Sequence, residues 1–126
     1  MPLDLDEINK IAATWIELHR LPEDSSEYDE LFWSHEQLWE LIQNDPETAW
    51  KIIQIIRREG SDLILSNLAA GPLEDLLVAH GVQFIDRIEA LAGHDEQFRK
   101  LLGAIWQNSM PGTLWSRIKA VAGPSW

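Results

Sequence analysis

The sequence predicts an all-α protein of roughly seven or eight short helices joined as antiparallel hairpins. Apolar residues recur at steps of three and four along most of the chain, the apolar segments open and close on capping residues, and no segment alternates with the period of two that marks a half-buried strand. A chain of 126 residues fits one domain, and at this size folding buries roughly two thirds of the surface the unfolded chain exposes.

The first helix is expected over about 5–19, where Ile8, Ile11, Ala12, Trp15 and Leu18 form one stripe behind a capping box from Asp4 to Glu7. A polar loop around 21–26 leads to a helical region holding Tyr28, Leu31 and Phe32, then Leu38, Trp39, Leu41 and Ile42. Ser34, with Gln37 three residues later, has the pattern of a fresh N-cap dividing that region. The clearest start is Asp45-Pro46-Glu47: an acid at the N-cap, a proline at the first helical position and a second acid in the first turn. The helix it opens carries Ala49, Trp50, Ile52, Ile53 and Ile56 and stops at Gly60 after Arg57 and Arg58, cations placed where the helix dipole favours them.

Ser61 then caps a helix through Leu63, Leu65 and Leu68 to Ala70, and Gly71-Pro72 is expected to end it and open the next. That next helix is expected over 73–80 and ends at Gly81; another over 82–91 buries Ile85 and Ile88 before Gly93. Asp95 caps a helix over 96–106 with the stripe Phe98, Leu101, Leu102 and Ile105, and a last helix over about 113–121 presents Leu114, Trp115, Ile118 and Val121. Residues 122–126 lie beyond the last stripe and are expected to fray. Short links make sequential antiparallel hairpins the natural arrangement, either a HEAT-like α-solenoid or an irregular helical bundle. Overlaying Lys51-Ile52-Ile53 on Lys100-Leu101-Leu102 also brings Ile56 onto Ile105, a weak helical-repeat signal.

Charge narrows the function classes. The formal net charge is −11, and residues 1–50, with 13 acids against Lys10 and Arg20, carry all of the excess. The later residues balance. Direct binding to nucleic acid phosphates is therefore disfavoured, whereas a basic protein surface would be steered in. Cysteine is absent, which removes disulfides, thiol catalysis and thiolate metal sites. The acidic start has neither the basic flank nor the apolar run of an export signal, and no apolar run approaches the roughly 20 residues of a membrane span, so a soluble cytoplasmic protein is expected.

The acids are densest from Glu23 to Glu30, and this segment lies beside two tryptophans. Glu23, Asp24, Glu27, Asp29, Glu30, Trp33, Glu36, Trp39 and Glu40 are the candidate partner-binding residues, with the indoles as aromatic anchors in an acidic interface. The plain alternatives are a solvated face for the acids and core packing for the tryptophans. No Gly-rich phosphate loop or nucleophile elbow is present. His19, His35, His80 and His94 do not pair at helical spacing, so no zinc site and no cofactor are expected. His94-Asp95 has the letters of a metal-hydrolase dyad, but it sits at a helix start, where Asp95 serves as a cap.

Several polar positions occur in a pattern that resembles a known family. Asp45-Pro46-Glu47 with Trp50, the run Leu68-Ala69-Ala70-Gly71-Pro72-Leu73-Glu74-Asp75-Leu76-Leu77, His80-Gly81, Phe84-Ile85-Asp86-Arg87-Ile88-Glu89, Phe98-Arg99, Leu101-Leu102-Gly103, Trp106-Gln107-Asn108-Ser109-Met110 and Trp115 are similar to a family of small bacterial proteins classed as a domain of unknown function. The likeness spans about 45–119, making 45–121 the family-like helical core behind acidic N-terminal helices over 1–44. It implies a bacterial origin and a helical fold, and it brings no catalytic residues. Its polar positions, Glu74, Asp75, His80, Asp86, Arg87, Glu89, Arg99 and Asn108, form an alternative polar cluster for a small-ligand or enzymatic site near the Gly71-Pro72 joint. Self-association through surplus tryptophan is a third reading, and the oligomeric state is left open.

Overall fold

A computed structural model describes residues 3–126, which are helical with intervening turns and loops and contain no strand. Contacts divide the chain into two compact units, Met1–Leu68 and Ala69–Trp126. The boundary lies well past the acidic segment because the helix that Asp45 opens packs against the helices before it.

In the first unit, α1 (Leu5–Leu18) opens on the expected capping box: the Glu7 amide donates to Asp4 Oδ1 at 2.8 Å, and the Asp4 amide donates to Glu7 Oε1 at 3.3 Å. Its buried face is the predicted stripe, Ile8, Ile11, Ala12, Trp15 and Leu18. Ser25 caps the short α2 (Ser26–Leu31) by accepting from the Tyr28 amide at 3.1 Å. The next helix, α3 (Trp33–Asn44), follows after Phe32 alone, whose backbone stays helical. Ser34 is therefore not the N-cap its sequence pattern predicts. Its hydroxyl, fully buried, donates to the Leu31 carbonyl at 2.8 Å and satisfies the end of α2.

Asp45 starts α4 (Pro46–Ile56) as expected, its carboxylate taking both the Thr48 amide and the Thr48 hydroxyl. A tight 3₁₀ turn, Arg57–Glu59, ends at Gly60, whose φ of 82° is the left-handed conformation glycine permits. Ser61 then caps α5 (Asp62–Leu68), accepting from the Ile64 amide. Helix α1 packs on both α3 and α4, and α3 packs on α4, enclosing Trp15, Leu38, Ile42, Ile52, Ile53 and Ile56.

The second unit departs more from its sequence pattern. Gly71-Pro72 lies between two α-helices as expected, but without a clean stop: after α5 ends at Leu68, Ala69–Leu73 form a π-helical turn that contains Pro72 and leads into α6 (Glu74–Ala92). A proline lacks the amide proton and crowds the carbonyl a turn earlier, and a wider turn accommodates both. The helix break expected at His80-Gly81 is present as a kink: the backbone of α6 leaves helical geometry at His80 (φ −138°, ψ 21°), so its two halves meet at an angle there, and a Cβ on Gly81 would lie 2.3 Å from Leu114 Cδ2 of α8 (Gly112–Val121). Asp95 caps α7 (Glu96–Leu102) by accepting from the Phe98 amide at 3.0 Å. This helix ends at Gly103, short of the expected Trp106.

The end of α7 is shaped by the tail. Residues 122–126 leave α8 in extended conformation and turn back along α7 instead of hanging free: the Gly123 amide donates to the Arg99 carbonyl at 2.9 Å, and Trp126 Nε1 donates to the Lys100 carbonyl at 2.7 Å. A Cβ on Gly103 would meet Pro124 O at 2.3 Å, a backbone atom that cannot turn aside. Gly103→Ala is expected to lift the tail at a cost of about 1–3 kcal/mol. Limited proteolysis should then cut the tail faster, with the helical circular dichroism almost unchanged.

Candidate functional site

All nine acidic and aromatic candidates of the first unit are exposed. Glu23 and Asp24 lie in the loop before α2; Glu27, Asp29 and Glu30 lie on α2 itself, a helix with no buried residue. On α3, buried Ser34, Leu38, Leu41 and Ile42 define the inner face. Helical spacing of about 100° per residue puts Trp33, Glu40, Glu36 and Trp39, in that order, along a continuous outer arc of about 120°. The two indoles thus stand at opposite margins of one arc with the carboxylates between them, Trp33 being 38% exposed and Trp39 53%.

Sequence reasoning missed the neighbour of Trp33. A groove of about 380 Å³ runs between α1 and α3, lined by Leu3, Glu7, Lys10, Ile11, Trp33 and Gln37. The Lys10 ammonium stands over the Trp33 ring, 5.7 Å from its centroid, within cation–π range. The available signal was Lys10 itself, one of only two bases in the first 50 residues.

At the C-terminus of α1, His19 stacks on Trp15 with centroids 3.8 Å apart, and its Nδ1 lies 2.9 Å from the Trp15 carbonyl. Burial holds the imidazole below the ordinary histidine range, outweighing the carbonyl contact, which favours the proton; His35 adds to the lowering and Glu23 opposes it. Arg20 beside it pairs with Glu59, whose carboxylate is held low chiefly by hydrogen bonds from Ser61 and also by Arg20.

The polar positions of the second unit do not converge in one cleft. Glu74, 9% exposed, accepts from the Trp106 amide at 3.0 Å and from Asn108 Nδ2 at 3.1 Å. That carboxylate therefore ties the loop after α7 to the start of α6. Asn108 sits at φ 52°, and Trp106 is 76% exposed outside any helix, not within one as its spacing predicts. Asp86 and Glu89 lie on the half of α6 beyond the His80 kink, more than three helical turns along the chain from Glu74. Both bind Arg117 of α8; the hydrogen bond from Arg117 holds the Glu89 carboxylate low against the opposing charge of Asp86, and the two acids hold the guanidinium high.

Arg87 stacks on Phe84 at 4.8 Å, and Arg99 lies 3.8 Å from Glu96. Asp75 is partly buried in the first turn of α6, and His80 occupies the kink, where its Nε2 is buried without a hydrogen-bond partner. Among the described residues no group of three His, Asp or Glu side chains is placed to hold a metal ion, and no helix is long and apolar enough to cross a membrane.

Residues 21–125 match the model of the Family of unknown function (DUF6869). The chain belongs to that family. The match begins in the loop before α2, so it takes in the acidic arc of α3 as well as the polar positions of the second unit. No curated protein and no solved structure matches the chain.

Two measurements test these assignments. Glu74→Ala leaves the Trp106 amide and the Asn108 amide unpaired and is expected to cost about 1–3 kcal/mol in urea denaturation, with Glu74→Gln losing less because one acceptor survives. For His19, the folded state holds the proton less tightly than the unfolded chain does. Its contribution is therefore complete above the unfolded pKa of about 6.5 and is lost as pH falls toward and through the lower folded value. The urea midpoint should drop between about pH 7 and 5, and His19→Gln should flatten that slope.

Proposed function

We propose that the protein is a non-enzymatic protein-binding module whose acidic, tryptophan-bearing face covers a basic surface on a partner protein, in the manner of an inhibitor or immunity-type protein. The observation that carries this reading is the outer arc of α3, where Trp33, Glu40, Glu36 and Trp39 are all exposed on one side of a helix whose other side is core. Exposed indoles are the side chains that most often anchor protein interfaces, and a cluster of carboxylates beside them raises the association rate with a cationic surface. The acids of α2 and its preceding loop enlarge the same acidic character, since the unit Met1–Leu68 carries 15 acids and five bases.

The rival reading, a small-ligand or enzymatic site on the family-like polar positions, has less support. Glu74, Asp86 and Glu89 are already engaged in links between elements of their own unit. The finer architecture that goes with the proposal is antiparallel hairpins, either HEAT-like or in an irregular bundle, in a cytoplasmic protein, with neither nucleic acid nor lipid as partner because an acidic face repels phosphates.

The test is affinity capture from the native cell at low and at high salt, with wild type beside a charge-reversed form carrying Glu27→Lys, Asp29→Lys and Glu30→Lys. A basic partner retained at low salt and lost at least tenfold on reversal is the expected result. A partner held equally by both forms, at both salts, would sink the reading.

A further inference from the structure

The groove between α1 and α3 contains a cation that belongs to the protein itself. Lys10 stands over the face of Trp33, and the same groove is lined by the acidic Glu7, whose carboxylate also caps α1, by the amide residue Gln37 and by the apolar Leu3 and Ile11. These are the residue types that receive a positively charged side chain: an aromatic ring for the cation, an acid among the lining residues, and apolar residues for an aliphatic stem. Its volume of about 380 Å³ exceeds what one lysine or arginine side chain occupies, and Lys10 is exposed, reaching the ring from outside the core.

We propose that this groove receives an arginine or lysine of a basic partner segment, and that Lys10 is a tethered occupant of the same aromatic face which the incoming cation displaces. The proposal rests on the acidic-docking reading above and gives it a specific seat. Charge complementarity selects the occupant. The unit that forms the groove has a net charge of −10, from 15 acids and five bases, so an approaching cationic segment is attracted while an anionic one is repelled. Trp33 also forms one margin of the exposed α3 arc, so a segment lying along Glu36 and Glu40 reaches the groove without crossing the core face.

The resident lysine makes a distinctive prediction. In an ordinary acidic face, removing a lysine changes affinity for a basic ligand only through general charge. Here it also frees the ring, whereas losing the ring removes the seat altogether.

The experiment titrates a fluorescently labelled peptide of alternating Arg and Gly into the full chain, following anisotropy at low and high salt, with a Glu-Gly peptide as the control. Three variants are compared, each with its helical circular dichroism checked against wild type. Trp33→Leu keeps apolar bulk but removes the aromatic face, Glu7→Gln keeps the capping box because glutamine serves at that position, and Lys10→Gln empties the ring. A change made for charge alone, Lys51→Gln on exposed α4 surface, removes the same unit of charge as Lys10→Gln away from the groove. The expected result is binding of the Arg-Gly peptide alone, weakened about tenfold by Trp33→Leu and severalfold by Glu7→Gln, and tightened by Lys10→Gln more than by Lys51→Gln. Binding indifferent to Trp33→Leu, or equal tightening by the two lysine variants, overturns the groove. If that same binding is abolished by charge reversal at Glu27, Asp29 and Glu30, the acidic-docking reading survives without it. A native basic partner captured normally while the peptide binds no form of the protein also overturns the groove alone. Absence of both kinds of binding overturns the docking reading together with it.

Discussion

Helix α1 has a single apolar stripe, and α3 and α4 both pack against it. Ile8, Ile11, Ala12, Trp15 and Leu18 cannot leave water without drawing in the inner faces of the two later helices, at roughly 1.5–3 kcal/mol for each large side chain buried. Once Leu38, Leu41 and Ile42 are committed to that core, the rotation of α3 about its axis is settled, and the opposite arc has to face outward. The display of Trp33, Glu36, Trp39 and Glu40 is thus a consequence of burying Trp15 and its neighbours. The groove beside Trp33 follows from the same packing, because α1 brings Glu7 and Lys10 alongside the start of α3.

In the second unit, a charged group organises the chain. A carboxylate with 9% exposure is costly unless it is paired, and Glu74 meets that requirement with a backbone amide and a side-chain amide from the segment after α7. Together with the close approach of Pro124 to Gly103, this stops α7 early and sets the path of the loop that exposes Trp106. The pair of acids on α6 and Arg117 on α8 lies at the surface and contributes little to stability, but it joins the same two helices that Gly81 lets approach.

Much of this was legible in the sequence wherever the cause is local. Asp4, Ser25, Asp45, Ser61 and Asp95 cap helices by contacts within three residues, and such contacts depend only on the nearby chain. Of these, Ser25 alone was not singled out, since its segment lacks a strong stripe. The apolar stripe of α1 was complete because a period of 3.6 is itself a local property. The misread positions are those decided by distant partners or by backbone adaptation. Ser34 has the letters of a cap but gives its hydroxyl to Leu31, and Gly71-Pro72 separates two α-helices by a widened turn instead of a clean stop, whereas the break expected at His80-Gly81 is there as a kink. The exposure of the acidic candidates followed from charge, whereas the scatter of the polar positions along α6 and its neighbours depends on tertiary pairing that spacing alone does not encode.

The lysine over Trp33 also has a meaning for how the acidic unit lives in salt. A tethered ammonium is a local counterion for the carboxylates around it, and its short-range attraction to the ring face is screened less than attraction between charges further apart than a Debye length. An arriving cation that takes its place exchanges one positive charge for another at that point and sends the ammonium back to water. Such an exchange leaves the charge at the ring face unchanged, so what separates one basic segment from another there is how its aliphatic stem fits the groove.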